Sequence, residues 1–285
     1  MTSKVQAPYL TARAQTEVTG RAVRRAANGL LAVFGVLFAL PLVWLILASI
    51  DSEASWSVEI PHLTLSNFRE ALAANGGSLV NSAILSVVAT LIATTSGTLA
   101  AFALSRRRVP WKGPLLLTVL FLSGIPLSIA IIPVFEIFAS IGWLSLVPTA
   151  VFLSVTLLPF EIYLIKNFID AVPLELDEAA RIERASTLYV LRRVILPLSL
   201  PGIGAASIIG FVSAWGSFIV PLVLLTSPQQ EPASVTMFAY IGASRVEFGQ
   251  IAAFSVIYSL PVFVLYALSS RLFSGGFFLG GAIRG

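Results

Sequence analysis

The chain has 285 residues, of which 57% are hydrophobic and only 11% charged, with a mean hydropathy of +0.91 and a formal net charge of +4. A soluble domain carries about a quarter of its residues as Asp, Glu, Lys or Arg, so the composition is that of an integral membrane protein. With no cysteine and a single histidine, His62, disulfide frameworks, thiolate metal sites, a histidine zinc site and a Ser/His/Asp triad all lack their parts.

A spanning helix needs roughly 20 apolar residues, and six windows meet that demand: 29–50, 79–104, 115–137, 145–165, 200–225 and 251–273. The spacing therefore predicts an all-α protein with six transmembrane helices in a domain over 29–273, a polar segment over 1–28 before it and a tail over 274–285 after it. The first window is longer than the apolar region of a signal peptide and lacks a small-residue cleavage site, so it is read as a span. Internal Pro41, Pro126, Pro133, Pro159, Gly210, Gly216 and Pro261 predict broken helices, the third above all.

The basic residues sort the segments between the windows. Five precede the first window, four lie in 105–114, five in 166–199 and two from Arg271 onward, against one in 51–78, none in 138–144 and one in 226–250. The positive-inside rule then places both termini and the 166–199 segment in the cytoplasm. Because the basic excess follows topology, it points to membrane lipid and not to nucleic acid.

In the first outer loop, 51–78, Ser66 is a candidate N-cap for a short amphipathic helix on the outer surface, with Leu65, Phe68 and Leu72 on one face. His62, beside Pro61, is read as a loop residue. The second long outer loop, 226–250, joins "TSPQQEP" turn chemistry to an apolar stretch over 235–241.

The 166–199 segment predicts helix, turn, helix. Pro173 suits the first helical position, Asp177 and Glu178 lie in the early turns, and the helix runs to about Glu183. A second helix starts at Ser186 or Thr187, carries Leu188, Leu191 and Ile195 at helical spacing and stops at Pro197. Ala179 and Ala180 offer a face on which another protein can approach closely.

At these residues the chain resembles a known family. "EAA" at 178–180 and "ILP" at 195–197 have the spacing of the EAA loop of ABC importer permeases. "LTLSNFREAL" at 63–72, "NSAILSVVAT" at 81–90, "AAFALSRRRVPWKG" at 100–113, "IPLSIAIIPVFEIFASIGWL" at 125–144, "LPF" at 158–160, "SAW" at 213–215 and the terminal "GGFFLGGAIRG" follow in order. Together they resemble the maltose-type carbohydrate permeases, over nearly the whole chain.

The resemblance implies the type I importer permease fold with six spans. It implies a coupling loop in which Asp177, Glu178, Ala179, Ala180, Glu183, Arg184, Ala185 and Ser186 meet an ATPase subunit, while Leu196 and Pro197 anchor the return to the fifth span. It also implies a second permease as heterodimer partner, two copies of an ATP-binding subunit, an extracytoplasmic substrate-binding protein, and a tail that lies along the ATPase pair through Gly281 and Arg284. ATP and Mg would be bound by the partner subunits, since no G-x-x-x-x-G-K-[ST] occurs here; this chain is not expected to be an enzyme or to bind a metal.

Two departures stand out. The family's loop reads "EAA-x-x-D-G-A-[ST]", whereas here Arg184 replaces the glycine; a left-handed turn there would cost about 1–2 kcal/mol. "SAWGSF" at 213–218 stands where relatives carry "aWNeF", so Gly216 and Ser217 remove two polar side chains. Candidate pathway residues are Asn81, Ser82, Trp215, Ser217 and Tyr258. Glu136 is read as an outer-gate contact or a solvated end, and Glu161 as a carboxylate reaching toward the cytoplasm or pairing with Lys166. Glycerol-3-phosphate or a related polyol ester is an alternative cargo, and a secondary carrier or channel the alternative class.

Overall fold

The computed structural model describes residues 7–55, 62–125, 127–241 and 247–273. Among these the chain is helical, with one isolated antiparallel bridge between Asp51 and Leu63. The predicted tail and its Gly281 and Arg284 lie outside the described residues.

The chain divides into two units, the first made of 1–68 and 248–256, the second of 69–247 and 257–285. In the first, α1 (Ala7–Ser49) is apolar from 27 onward and exposes nearly all of that surface, as a lipid-facing helix does. Asn67 donates through Nδ2 to the carbonyls of Ser49 (3.2 Å) and Asp51 (2.8 Å), closing the turn that follows α1.

Helix α2 (Ser66–Arg106) corrects the sequence reading of the first outer loop. Its opening residues are the start of one 41-residue helix, not a separate surface element. Ser66 is the first helical residue and donates its N–H to the Thr64 hydroxyl at 3.0 Å. Gly76 and Gly77 each cost a helix about 1 kcal/mol relative to alanine, yet α2 runs through both without a break.

The third window forms two short helices, α3 (Lys112–Ser123) and α4 (Ile131–Ser140), joined through Gly124 and a 3-10 turn at Leu127–Ala130. Helix α5 (Leu146–Asp170) follows, then α6 (Leu174–Ile182) and α7 (Thr187–Val190). Pro197 does not stop the second loop helix. A π-helical turn over Leu191–Ile195 leads from α7 directly into α8 (Leu196–Trp215), so Thr187–Trp215 is one continuous span. Proline lacks an N–H and crowds the carbonyl four residues back, and the wider π turn immediately before it accommodates both defects.

The window over 200–225 ends early, because Gly216 caps α8 and the chain restarts as α9 (Ile219–Leu224). A 3-10 turn at Pro228–Gln230 and α10 (Ala233–Ile241) lie in the segment predicted as the second outer loop, and α11 (Phe248–Phe273) ends the described chain. Among the described residues five helices are thus long and apolar enough to cross a membrane, and the third window is occupied by the shorter α3 and α4.

Two apolar clusters hold the second unit. One joins Leu85 and Ala89 of α2, Ile131 of α4, Ala150 and Leu153 of α5, Ala214 of α8 and Val220 and Leu224 of α9. The other joins Ala101 and Phe102 of α2, Ile165 and Ile169 of α5, Val190 of α7, Leu191 and Ile195 of the π turn and Ala206 of α8. The second lies directly beneath the 174–190 hairpin.

Candidate functional site: a braced helical hairpin

The α6 to α7 hairpin is built from its turn outward. Ala185 donates its N–H to the Ala180 carbonyl (3.0 Å) and Arg184 donates to Arg181 (3.0 Å), the paired bonds of a Schellman helix end. The residue that must turn left-handed in this motif is Arg184, and its φ is +62°. Glycine is favoured there because a Cβ crowds the following carbonyl, at about 1–2 kcal/mol for other residues. Ala180 and Ala185, on either side of the turn, both pack on the apolar cluster below. The hairpin is therefore seated despite the strain. Ser186 caps α7, its hydroxyl accepting from the Tyr189 N–H at 3.3 Å; Pro173 is the N-cap of α6, one position earlier than expected.

Helix α6 has two unlike faces. Glu178, Ala179, Ile182 and Glu183 are exposed, Ile182 at 83%, and Leu188 and Tyr189 of α7 join them. Arg184 and Ser186 are also exposed, whereas Leu196 is half-buried and Pro197 exposed on the path into α8. The expectation that Asp177 shares the outward face is corrected. Asp177 is 4% exposed and forms an ion pair with Arg106, Nε to Oδ2 at 3.3 Å, with both side chains buried. Three residues before Ala180, which packs on the cluster below, it falls on the inner face of the helix.

Arg106 is the residue that sequence reasoning missed. Beyond Asp177, its Nη2 donates to the carbonyls of Ile169 (3.0 Å) and Val172 (2.6 Å). The end of α2 is thereby tied to the end of α5, to the connector and to α6. Arg107 adds a bond from Nη2 to the Thr187 hydroxyl (2.6 Å) at the start of α7. Ser105 donates to Asp170 at 2.5 Å, and Asp170 is ion-paired with Lys166. The "SRRR" run counted as topological charge in the sequence thus contains two structural braces. The signal that could have found them was the strong placement of three consecutive bases at the end of a span opposite the acids of 170–178.

The predicted pathway residues do not form one cluster. Asn81 donates to the carbonyls of Gln229 (2.9 Å) and Glu231 (3.1 Å), and the buried Ser82 hydroxyl accepts from the Ala233 N–H (2.8 Å) at the start of α10. Their polar atoms hold the second outer loop to α2. Asn75 does the same through Tyr240, Nδ2 to Oη at 2.5 Å; burial raises the pKa of the Tyr240 phenol, against the Asn75 bond. The Ser217 carbonyl accepts from the Ser234 hydroxyl (2.8 Å).

Trp215 and Tyr258 do meet. Their rings stack at 5.3 Å, Phe211 stacks on the other side of Trp215 at 5.6 Å, the indole N–H donates to the Tyr258 carbonyl (3.0 Å) and the Tyr258 hydroxyl donates to the Trp215 carbonyl (2.6 Å). Trp215 is 4% exposed, so this reciprocal pair locks α8 to α11 within the second unit. Glu136 is exposed on α4, and His62 lies 4.0 Å from Glu53 in the outer loop.

Glu161 is not where its sequence context pointed. It is 1% exposed, and neither carboxyl oxygen has a hydrogen-bond partner. Lys166 pairs instead with Asp170, four residues on. Five residues along a helix turn a side chain by about 140°, whereas four bring it nearly back to the same face.

Comparison with known proteins places this arrangement. The chain is 29% identical to the trehalose transport system permease protein SugB of Mycobacterium tuberculosis over 254 residues, 86% of this chain and 92% of that one. It is 29% identical to the galactooligosaccharides transport system permease protein GanQ of Bacillus subtilis, over 88% of this chain and 93% of that one. A chain in the crystal structure of a bacterial ABC transporter that imports the acidic polysaccharide alginate superposes with a TM-score of 0.75 at 20% identity, covering 90% of this chain and 98% of that chain, which shows a shared fold. Residues 93–275, including the whole braced hairpin, match the family model of the binding-protein-dependent transport system inner membrane component, and the chain belongs to that family.

Proposed function

We propose that this chain is one permease subunit of an ATP-driven carbohydrate importer, lining half of the pathway for a mono-, di- or oligosaccharide. Its reading as a sugar permease is supported by its likeness to permeases of trehalose and galactooligosaccharide transport systems. The partners of this reading are a second permease, two ATP-binding subunits in the cytoplasm and an external substrate-binding protein. The α3 and α4 pair supplies the sixth crossing, with both termini cytoplasmic, as the distribution of basic residues indicates.

The braced hairpin is the observation that carries the proposal. A surface that transmits force must be rigid and must connect to the elements that move. Here the exposed face of α6 presents Glu178 and Ala179, and Arg106 and Arg107 bind the hairpin to α2. The α5 to α6 connector joins it to α5, and Thr187–Trp215 runs on as a single helix. Displacing the hairpin therefore displaces three spans together. ATP closure of the partner subunits would supply the displacement, and this chain's residues only receive and transmit it.

The test is assembly and coupling. Ala179→Glu places a long charge on the exposed close-approach face and is expected to abolish co-purification of the ATP-binding subunits while the chain still inserts and melts as wild type. Sugar uptake into vesicles that survives removal of every ATP-binding subunit would overturn the proposal in favour of a self-sufficient carrier.

A further inference from the structure

Glu161 lies inside a span, nine residues before the end of α5 at Asp170, or about 14 Å at 1.5 Å per residue. It is packed from two other helices of the same unit. Gly210 of α8 lies opposite, so close that a Cβ there would overlap the carboxyl oxygen Oε1. Gly97 of α2 would bring a Cβ to 3.5 Å from that of Glu161. Thr90 of α2 flanks the same point, its Cγ2 3.7 Å from a Cβ on Gly210, and its buried hydroxyl is likewise without a partner. Thr94 faces the carboxyl at the edge of hydrogen-bond reach, and its hydroxyl accepts from Ser207 at 3.3 Å.

The groups around the carboxyl are thus threonine side chains and glycine backbone. From α2 come Thr90, Thr94 and Gly97, and from α8 comes Gly210; the next charge along α5, Lys166, is taken by Asp170. A carboxyl excluded from water with no cation beside it is among the costliest groups a protein interior can hold, and an intramembrane ionisable residue marks a functional site unless a partner is found for it. Three buried oxygens without a hydrogen-bond partner, two from Glu161 and one from Thr90, belong to side chains that meet at Gly210.

We propose that Glu161 and Thr90 form a binding site for one monovalent cation, a proton or a sodium ion, within the packing of α2, α5 and α8. Occupancy neutralises the carboxyl and holds the three helices together; loss of the cation leaves an uncompensated charge that drives them apart. Since α5 and α8 both continue into the braced hairpin, the cation sets how readily the hairpin's movement separates the spans. The inference requires only that the chain spans a membrane, and it holds whatever cargo is carried.

The full chain, purified with its co-expressed subunits in lipid nanodiscs, tests it by thermal melting. Sodium chloride is compared with choline chloride at constant ionic strength, and each salt is scanned from about pH 6 to about pH 9. Wild type is expected to melt roughly 2–4 °C higher when the site is filled. Dependence on sodium identifies sodium, and a gain toward low pH in choline identifies the proton; Glu161→Gln removes either. If Glu161→Gln does not accumulate, Thr90→Val keeps the carboxyl, and its midpoint in sodium or pH is expected to shift. A wild type indifferent to both ions, a Glu161→Gln protein with the wild-type dependence, or an unmoved Thr90→Val midpoint would overturn the proposal.

Discussion

Asp177 and Glu161 are both buried carboxylates of the second unit, at 4% and 1% exposure, yet their surroundings are opposite. Asp177 faces a guanidinium that is itself held by two backbone carbonyls, so its charge is matched by a fixed partner from another helix. Glu161 faces glycines and threonines and is matched by no positive charge among the described residues. The contrast separates two uses of buried charge. A pair of fixed partners fastens elements permanently, whereas a lone carboxyl leaves the fastening to something that comes and goes.

The comparison can be broken most severely at Arg106. Arg106→Ala strands Asp177 as an unpaired buried charge and also frees the carbonyls of Ile169 and Val172. Removing one partner of a buried pair costs about 3–5 kcal/mol. Large loss of melting temperature and loss of ATP-binding subunits from the purified complex are expected. Arg106→Ala/Asp177→Leu should recover a substantial part of the stability, because the stranded charge is gone. A double variant as unstable as the single would mean that the backbone bonds of Arg106, not its pairing with Asp177, dominate.

Gly210 sharpens the other half. A methyl group there occupies the position of the Glu161 carboxyl oxygen, and overpacking of this kind costs about 1–3 kcal/mol. Gly210→Ala should therefore destabilise the wild type and be nearly neutral in a Glu161→Ala background, where the space has been vacated. Equal losses in both backgrounds, read as melting temperatures, would show that the carboxyl does not fill the place opposite Gly210.

These two carboxylates also mark where the sequence could be read and where it could not. The helices of the hairpin were legible because their signals are local, as where Ser186 caps within three residues, whereas the left-handed position of Arg184 was pointed to by the resemblance, whose loop carries glycine there. The apolar windows likewise located the spanning helices, since length and hydropathy are properties of the segment alone. What failed depended on contacts between distant segments or on how neighbouring turns adjust. Asp177 and Glu178 are adjacent and chemically alike, and only the cluster beneath the hairpin decides which turns inward. Pro197 was read as a stop because nothing in composition announces a π turn before it. For Glu161, sequence proximity offers the cytoplasmic end of the span or Lys166, although the helix turns Lys166 toward Asp170 and buries the carboxyl.

The smallest effect concerns the strained turn, and it links back to the brace. Arg184 holds φ +62° in a Schellman end whose hydrogen bonds are intact, and its side chain is exposed with no ion pair among the described residues. A backbone conformation this unfavourable persists where its surroundings over-determine it. Here the determinants are Ala180 and Ala185 on the apolar floor and the Arg106–Asp177 pair under the preceding helix. Arg184→Gly relieves the Cβ strain but also loosens the unfolded chain, so a net gain of about 1 kcal/mol is expected, seen as a higher melting temperature with the ATP-binding subunits still attached. In an Arg106→Ala background the turn is less firmly held, and the gain should shrink because the chain there can relax without the substitution. A gain of equal size in both backgrounds would mean that the turn is fixed by its own hydrogen bonds and floor alone; loss of the ATP-binding subunits on Arg184→Gly would instead identify the guanidinium as a contact that they require.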